Sequence, residues 1–135
     1  MMLESAVILL VEDDPADVEL TQYTIAKSKV MVNLQVVSDG VEALSFLRRE
    51  GKYANAPRPD LILLDIMMPK KSGMELLKEI KSEEKTKKTV VLLLTNVSND
   101  ESIKEGFALG ADGYLVKAAY TPDQVVKEIS HYISE

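Results

Sequence analysis

The chain has 135 residues, of which 46% are hydrophobic, a net charge of −6 and no cysteine. That length suits one domain with room for a real core. The acidic balance lacks the footprint of a nucleic-acid binder, and the absence of cysteine removes disulfides, thiolate catalysis and cysteine-ligated zinc.

Ala6 to Val11 (AVILLV) reads as a first buried strand and ends in Glu12, Asp13 and Asp14. The run is too short for a signal-peptide core or a membrane span, so a cytoplasmic protein without a membrane partner is expected. Asp14 followed by Pro15 is a helix start, an N-cap acceptor and then proline at the first helical position. This helix extends to about Lys29, although its apolar period is weak. Leu34 to Val37 forms a short second strand closed by Ser38-Asp39-Gly40. Val41, Leu44 and Leu47 repeat at helical spacing, and the second helix stops near Gly51. The segment GKYANAPRP is a surface connector in which two prolines and a glycine exclude regular structure.

Leu61 to Leu64 is too short an apolar run for a lone helix and suits a third strand buried on both faces. It stops at Asp65. Pro69 and Gly73 turn the chain before Met74, Leu77 and Ile80 begin a third helix that lasts to about Glu83. The run EEKTKK, Glu83 to Lys88, reads as a solvated turn. Val90 to Leu94 is a fourth strand ending at Thr95. Ile103 and Phe107 mark a fourth helix that stops at Gly110. Gly113 to Val116 is a fifth strand ending at Lys117. The last helix starts near Thr121-Pro122 and carries the stripe Val125, Val126, Ile129, Tyr132 and Ile133.

Strands alternating with helices describe one α/β domain, residues 1–135, with a doubly wound parallel sheet and no output domain. In such a sheet the strand ends converge on one rim. Glu12, Asp13, Asp65, Thr95 and Lys117 would meet there. Carboxylates at about 5 Å and an effective dielectric near 20 repel by roughly 3 kcal/mol per pair. Lys117 and a divalent ion would bring three carboxylates to neutrality. Oxygen donors suit a hard ion, and Mg²⁺ commonly shares its sphere with phosphate. Acid pair, terminal aspartate, hydroxyl and lysine together describe a site for phosphoryl transfer to a carboxylate.

At this point the sequence resembles the receiver domain of bacterial two-component response regulators over essentially its whole length. LLVEDDP is similar to the acidic-pair motif and LLDIMMPKKSG to the phospho-acceptor motif. LLLTN is similar to the hydroxyl strand and GADGYLVK to the lysine motif. VEDDPADVELTQ and FLRREGKYANAPRPDLILLD resemble single-domain regulators that partner phytochrome-type sensor histidine kinases. The resemblance implies a five-stranded sheet in the order 2-1-3-4-5 with five helices, the flavodoxin-like receiver fold. It implies Asp65 as the phosphorylated nucleophile. Asp13, Asp65 and the Met67 backbone carbonyl would bind Mg²⁺, with Glu12 acting through a metal-bound water. Lys117 would pair with one phosphoryl oxygen, Thr95 would hydrogen-bond another, and Tyr114 would join Thr95 in the switch. A phosphorylation-dependent homodimer through the fourth helix, fifth strand and fifth helix is also implied.

Two departures from the family pattern stand out. Ala118 follows Lys117 where a proline in a cis peptide is common; a cis bond before alanine costs about 2.5–4 kcal/mol. Either the loop strains to keep it or Lys117 approaches differently. Asn96 is larger than the usual small residue and is expected to narrow access to the phosphoryl pocket.

Plainer roles suit several residues. Asp14 is an N-cap rather than a ligand, His131 faces solvent, and Lys70 and Lys71 form a solvated pair. Tyr114 divides between a switch and a partly buried packing aromatic.

Rival functions fare worse. A phosphatase of the haloacid-dehalogenase type wants a second acid two residues after Asp65, where Met67 stands. A flavin module wants a phosphate loop that Glu12-Asp13-Asp14 would repel. A degenerate receiver acting only as a binding module remains, but every acceptor position is filled. The expected protein is therefore a phospho-acceptor switch rather than an enzyme. The resemblance further places Met67 and Val97 beside the path of the hydrolytic water, and because neither would orient a water, slow hydrolysis of its own acyl phosphate is expected.

Overall fold

A computed structural model describes residues 6–28 and 30–133. Five strands, β1 (Ala6–Val11), β2 (Val32–Val37), β3 (Leu61–Leu64), β4 (Val90–Thr95) and β5 (Gly113–Val116), alternate with five helices. The helices are α1 (Pro15–Lys27), α2 (Gly40–Arg48), α3 (Gly73–Ser82), α4 (Asp100–Ala108) and α5 (Pro122–Ile133). All strands run parallel in the order β2-β1-β3-β4-β5. The order expected from the resemblance is the one observed.

Successive side chains along a strand face opposite ways, so each central strand feeds two cores. Leu9, Val11, Ile62, Leu64, Val91 and Leu93 point to the side covered by α2 and α3. Ile8, Leu10, Leu61, Leu63 and Leu92 point to the side where Ile129 of α5 packs. β3 is buried at all four positions, which explains its uninterrupted apolar run.

Several local readings are corrected. α1 ends at Lys27 with Ser28 as its cap; the expected end at Lys29 lies outside the described residues, as do residues 1–5 and 134–135. β2 begins at Val32, since Ala6 pairs with Val32 and Val7 with Asn33. Backbone pairing at the sheet edge tolerates a polar asparagine. The connector contains a 3-10 turn at Gly51–Tyr53, held because Tyr53 packs on Phe46 at 5.3 Å and donates its hydroxyl hydrogen to Glu42. Within the charged turn Thr86 is buried and donates to the Ile80 carbonyl at 2.7 Å, closing the end of α3. Tyr132 leaves the α5 stripe: it is exposed, and its hydroxyl reaches the Asp112 carbonyl at 3.2 Å.

The β3–α3 loop is tied down on both sides. Gly73 donates its N–H to the Ile66 carbonyl at 2.8 Å. A Cβ there would stand 2.3 Å from the Asp65 carbonyl oxygen, so only glycine lets α3 start this close to β3. Ser72 and Glu75 form a reciprocal capping box at the same helix start.

Candidate functional site

Strand register sets the height of each side chain on the rim. Val11 pairs with Leu64, Leu64 with Leu93 and Leu93 with Tyr114. Asp65 donates its N–H to the Val11 carbonyl at 3.2 Å, so Glu12 and Asp65 leave their strands side by side. Alternation then sorts the rim by face. Glu12, Asp65, Asn96 and Lys117 share the parity of the α5 side. Thr95 and Tyr114 share the parity of the α2–α3 side.

On the α5 side the Lys117 ammonium meets three carboxylates: Glu12 at 2.7 Å, Asp17 at 2.7 Å and Asp65 at 3.0 Å. Glu12 is 3% and Asp65 7% exposed. Asp65 also accepts the Met67 N–H at 3.1 Å, and Glu12 the Asp14 N–H at 3.2 Å. Burial alone would lower the Lys117 pKa, but hydrogen bonds to Asp17, Glu12 and Asp65 together hold it above the ordinary lysine value. Burial dominates at Glu12 and pushes its carboxyl upward despite the Lys117 hydrogen bond.

Asp17 is the residue that sequence reasoning missed. It lies in the first turn of α1, three positions after the N-cap Asp14. That spacing, one helical turn from an acidic cap, was the available signal. Asp14 itself caps the helix by accepting the Ala16 N–H at 2.9 Å.

The carboxylates expected around a metal divide between two environments. Among the described residues no three acidic, cysteine or histidine side chains are grouped to hold a metal ion. Glu12 and Asp65 turn to the Lys117 ammonium instead, while Asp13 is exposed and has no side-chain partner among the described residues. The ammonium offsets the mutual repulsion of Glu12 and Asp65. The donors still fit a hard dication chemically, because the Asp13 and Asp65 carboxylates and the Met67 carbonyl are all oxygen. Four carboxylates against one ammonium also leave the rim strongly negative.

On the other side Thr95 is fully buried and its hydroxyl accepts the Val97 N–H at 3.3 Å. Tyr114 is half-buried and donates to the Val97 carbonyl at 2.6 Å. Its ring lies against Gly106 of α4, where a Cβ would come within 3.3 Å. Val97 therefore joins the two expected switch residues, Thr95 through its N–H and Tyr114 through its carbonyl. Burial and the Asp65 charge push the Tyr114 hydroxyl pKa upward.

The remaining readings fall into place. No peptide is cis among the described residues, and Lys117 opens a 3-10 turn, Lys117–Ala119. Lys117 thus approaches without the proline device. Asn96, expected to narrow access to the phosphoryl pocket, is exposed and lines a cavity of about 250 Å³ between α1 and α5, together with Glu12, Lys117 and Asp17. Met67 is 68% exposed. Lys70 and Lys71 are not merely solvated, since Lys70 pairs with Asp39 at 3.3 Å and Lys71 with Glu79 at 2.6 Å. His131 is exposed as expected.

The response regulator receiver domain profile matches residues 8–130. Response regulator Rcp1 of Synechocystis sp. is 41% identical over 117 residues, covering 87% of this chain and 80% of its own. The phosphorylated cyanobacterial phytochrome response regulator RcpA superposes with a TM-score of 0.90 at 42% identity, over 97% of this chain and 96% of that one. The Mn²⁺-bound form of Rcp1 superposes with a TM-score of 0.87 at 37% identity, over 96% of each chain. Sheet order, rim chemistry and these relatives agree: the chain belongs to the response regulator receiver domain family.

Proposed function

We propose that this receiver domain accepts a phosphoryl group on Asp65 from the phosphohistidine of a phytochrome-type sensor kinase. The observation that carries the reading is Asp65 at the end of β3, buried and held 3.0 Å from Lys117. The partner class follows from the phytochrome response regulators among its relatives. With no helix among the described residues long and apolar enough to cross a membrane, a cytoplasmic setting suits this exchange.

An Asp65 carboxylate oxygen attacks phosphorus in line, the phosphorus–nitrogen bond breaks, and the kinase imidazole leaves with the bonding pair. Asp13, Asp65 and the Met67 carbonyl would hold Mg²⁺, with Glu12 acting through a bound water, and the ion would supply neutralising charge for the phosphoryl oxygens. Lys117 donates to one of those oxygens, and Thr95 gives up the Val97 N–H to bind another. Val97 is also the acceptor of Tyr114, so that movement reaches the α4–β5–α5 surface. A phosphorylation-dependent homodimer through that surface is the proposed output. The domain resets by slow hydrolysis of its own acyl phosphate and performs no metabolic catalysis.

Incubation with Mg²⁺ and acetyl phosphate, followed by intact mass, tests the acceptor. A mass gain of one phosphoryl group that Asp65→Asn abolishes is expected. A gain that survives this substitution would move the acceptor elsewhere.

A further inference from the structure

We propose that Asp17 is a positioning residue: it holds the Lys117 ammonium in place until an incoming phosphoryl group draws the lysine away. The inference rests on Asp65 being the acceptor.

A lysine ammonium has three N–H donors. All three are engaged here, by Glu12, Asp17 and Asp65. Lys117 therefore has no donor left for a phosphoryl oxygen, and one bond must break before it can make another. The three partners differ in what that break would cost. Glu12 is 3% exposed, so losing Lys117 would strand a buried carboxylate. Asp65 is the group being modified. Asp17 has a side chain 35% exposed, so water can replace the lysine there at little cost.

Space for the exchange is present as well. Asp17 and Lys117 both line the cavity between α1 and α5, whose other walls include Leu20, Leu94 and Ile129. The Asp17 carboxylate can swing and hydrate without unpacking either core. Asp17 also belongs to α1 while Asp65 closes β3, so exchange of the Lys117 bond alters the tie between α1 and the rim.

The test is beryllofluoride affinity at saturating Mg²⁺, measured for the parent, Asp17→Asn, Asp17→Ser and Asp17→Glu, and repeated with Lys117→Met. Removing the competing carboxylate should tighten binding by about five-fold, the upper end for a partly exposed ion pair. Asp17→Glu should restore the parent value. With Lys117→Met present, Asp17→Asn should tighten nothing. Equal tightening in both backgrounds would reduce Asp17 to a general charge effect and overturn the proposal, as would no tightening in the parent background. A parent that binds no beryllofluoride would overturn the acceptor reading, and this inference with it.

A second readout needs neither metal nor beryllium. In chelated protein the side-chain nitrogen resonance of Lys117 should shift on Asp17→Asn and return with Asp17→Glu. An unmoved resonance would mean that the bond is absent in solution, which also overturns the proposal.

Discussion

The Lys117 ammonium stands 3.0 Å from the Asp65 carboxylate and is the cation that three carboxylates share. Glu12, Asp17 and Asp65 thus set three negative charges around one positive charge, and removing one of the three reduces the crowding. Asp65→Asn should therefore raise thermal stability in chelator by about 1 kcal/mol, roughly 3–5 °C for a domain of this size. A thermal melt of chelated protein measures it. A variant melting below the parent would contradict the crowded-carboxylate picture.

Removing the lysine should do the opposite. Lys117→Met leaves Glu12 and Asp65 buried without a counter-ion and should cost about 3 kcal/mol in metal-free buffer. Added Mg²⁺ should recover more of the melting temperature in Lys117→Met than in the parent, because a dication then supplies the missing charge. Equal recovery in both proteins would place the metal away from this cluster.

On the proposed function, signal lifetime should depend on Met67 and Val97, the two residues expected to flank the path of the hydrolytic water. Met67 is exposed and Val97 half-buried, and neither side chain offers a group to orient water. Met67→Asn combined with Val97→Glu should speed loss of phosphate by roughly ten-fold. The decay of phosphorylated mass after donor removal gives the rate. Identical decay would assign water access to another wall of the site.

The dimer proposal has a surface residue to test. Phe107 on α4 is 49% exposed, an apolar side chain on the proposed interface. Light scattering should show the mass doubling with beryllofluoride and Mg²⁺, and Phe107→Ser should suppress that doubling without preventing beryllofluoride binding. A mass independent of beryllofluoride across a wide concentration range would exclude a phosphorylation-dependent dimer.

Asp39 provides a pH test. It caps α2 through the Glu42 N–H at 2.8 Å and also pairs with Lys70 in the loop after Asp65. The Glu42 N–H, aided by Lys70 and opposed by burial, lowers its pKa below 3.8. A lowered carboxyl pKa stabilises the fold above the unfolded value, and that contribution is lost as pH falls through the folded one. Asp39→Ala should cost about 1 kcal/mol near neutrality, and its deficit should shrink as pH falls below about 4. Denaturant melts of parent and variant from neutral to acid pH check both. A deficit constant with pH would mean that the charge at Asp39 contributes nothing.

Much of this protein was legible in the sequence because local rules wrote it there. β3 buries both faces, so its apolar run is continuous and Asp65 stands out where the run ends. The Asp14-Pro15 cap and the Lys117 that closes β5 were equally visible, as was the order of elements. What the sequence did not reveal is who touches whom. Lys117 is 105 residues from Glu12 and 100 from Asp17, and no periodicity links them. Asp17 reads as an ordinary first-turn acid until α1 docks beside the end of β5. Thr86 hides in a charged run, and Lys70 reads as solvated until the loop folds onto Asp39. Periodicity and caps report the backbone of each element alone; the partners of long charged side chains are set by helix docking and strand register, which only the tertiary structure decides.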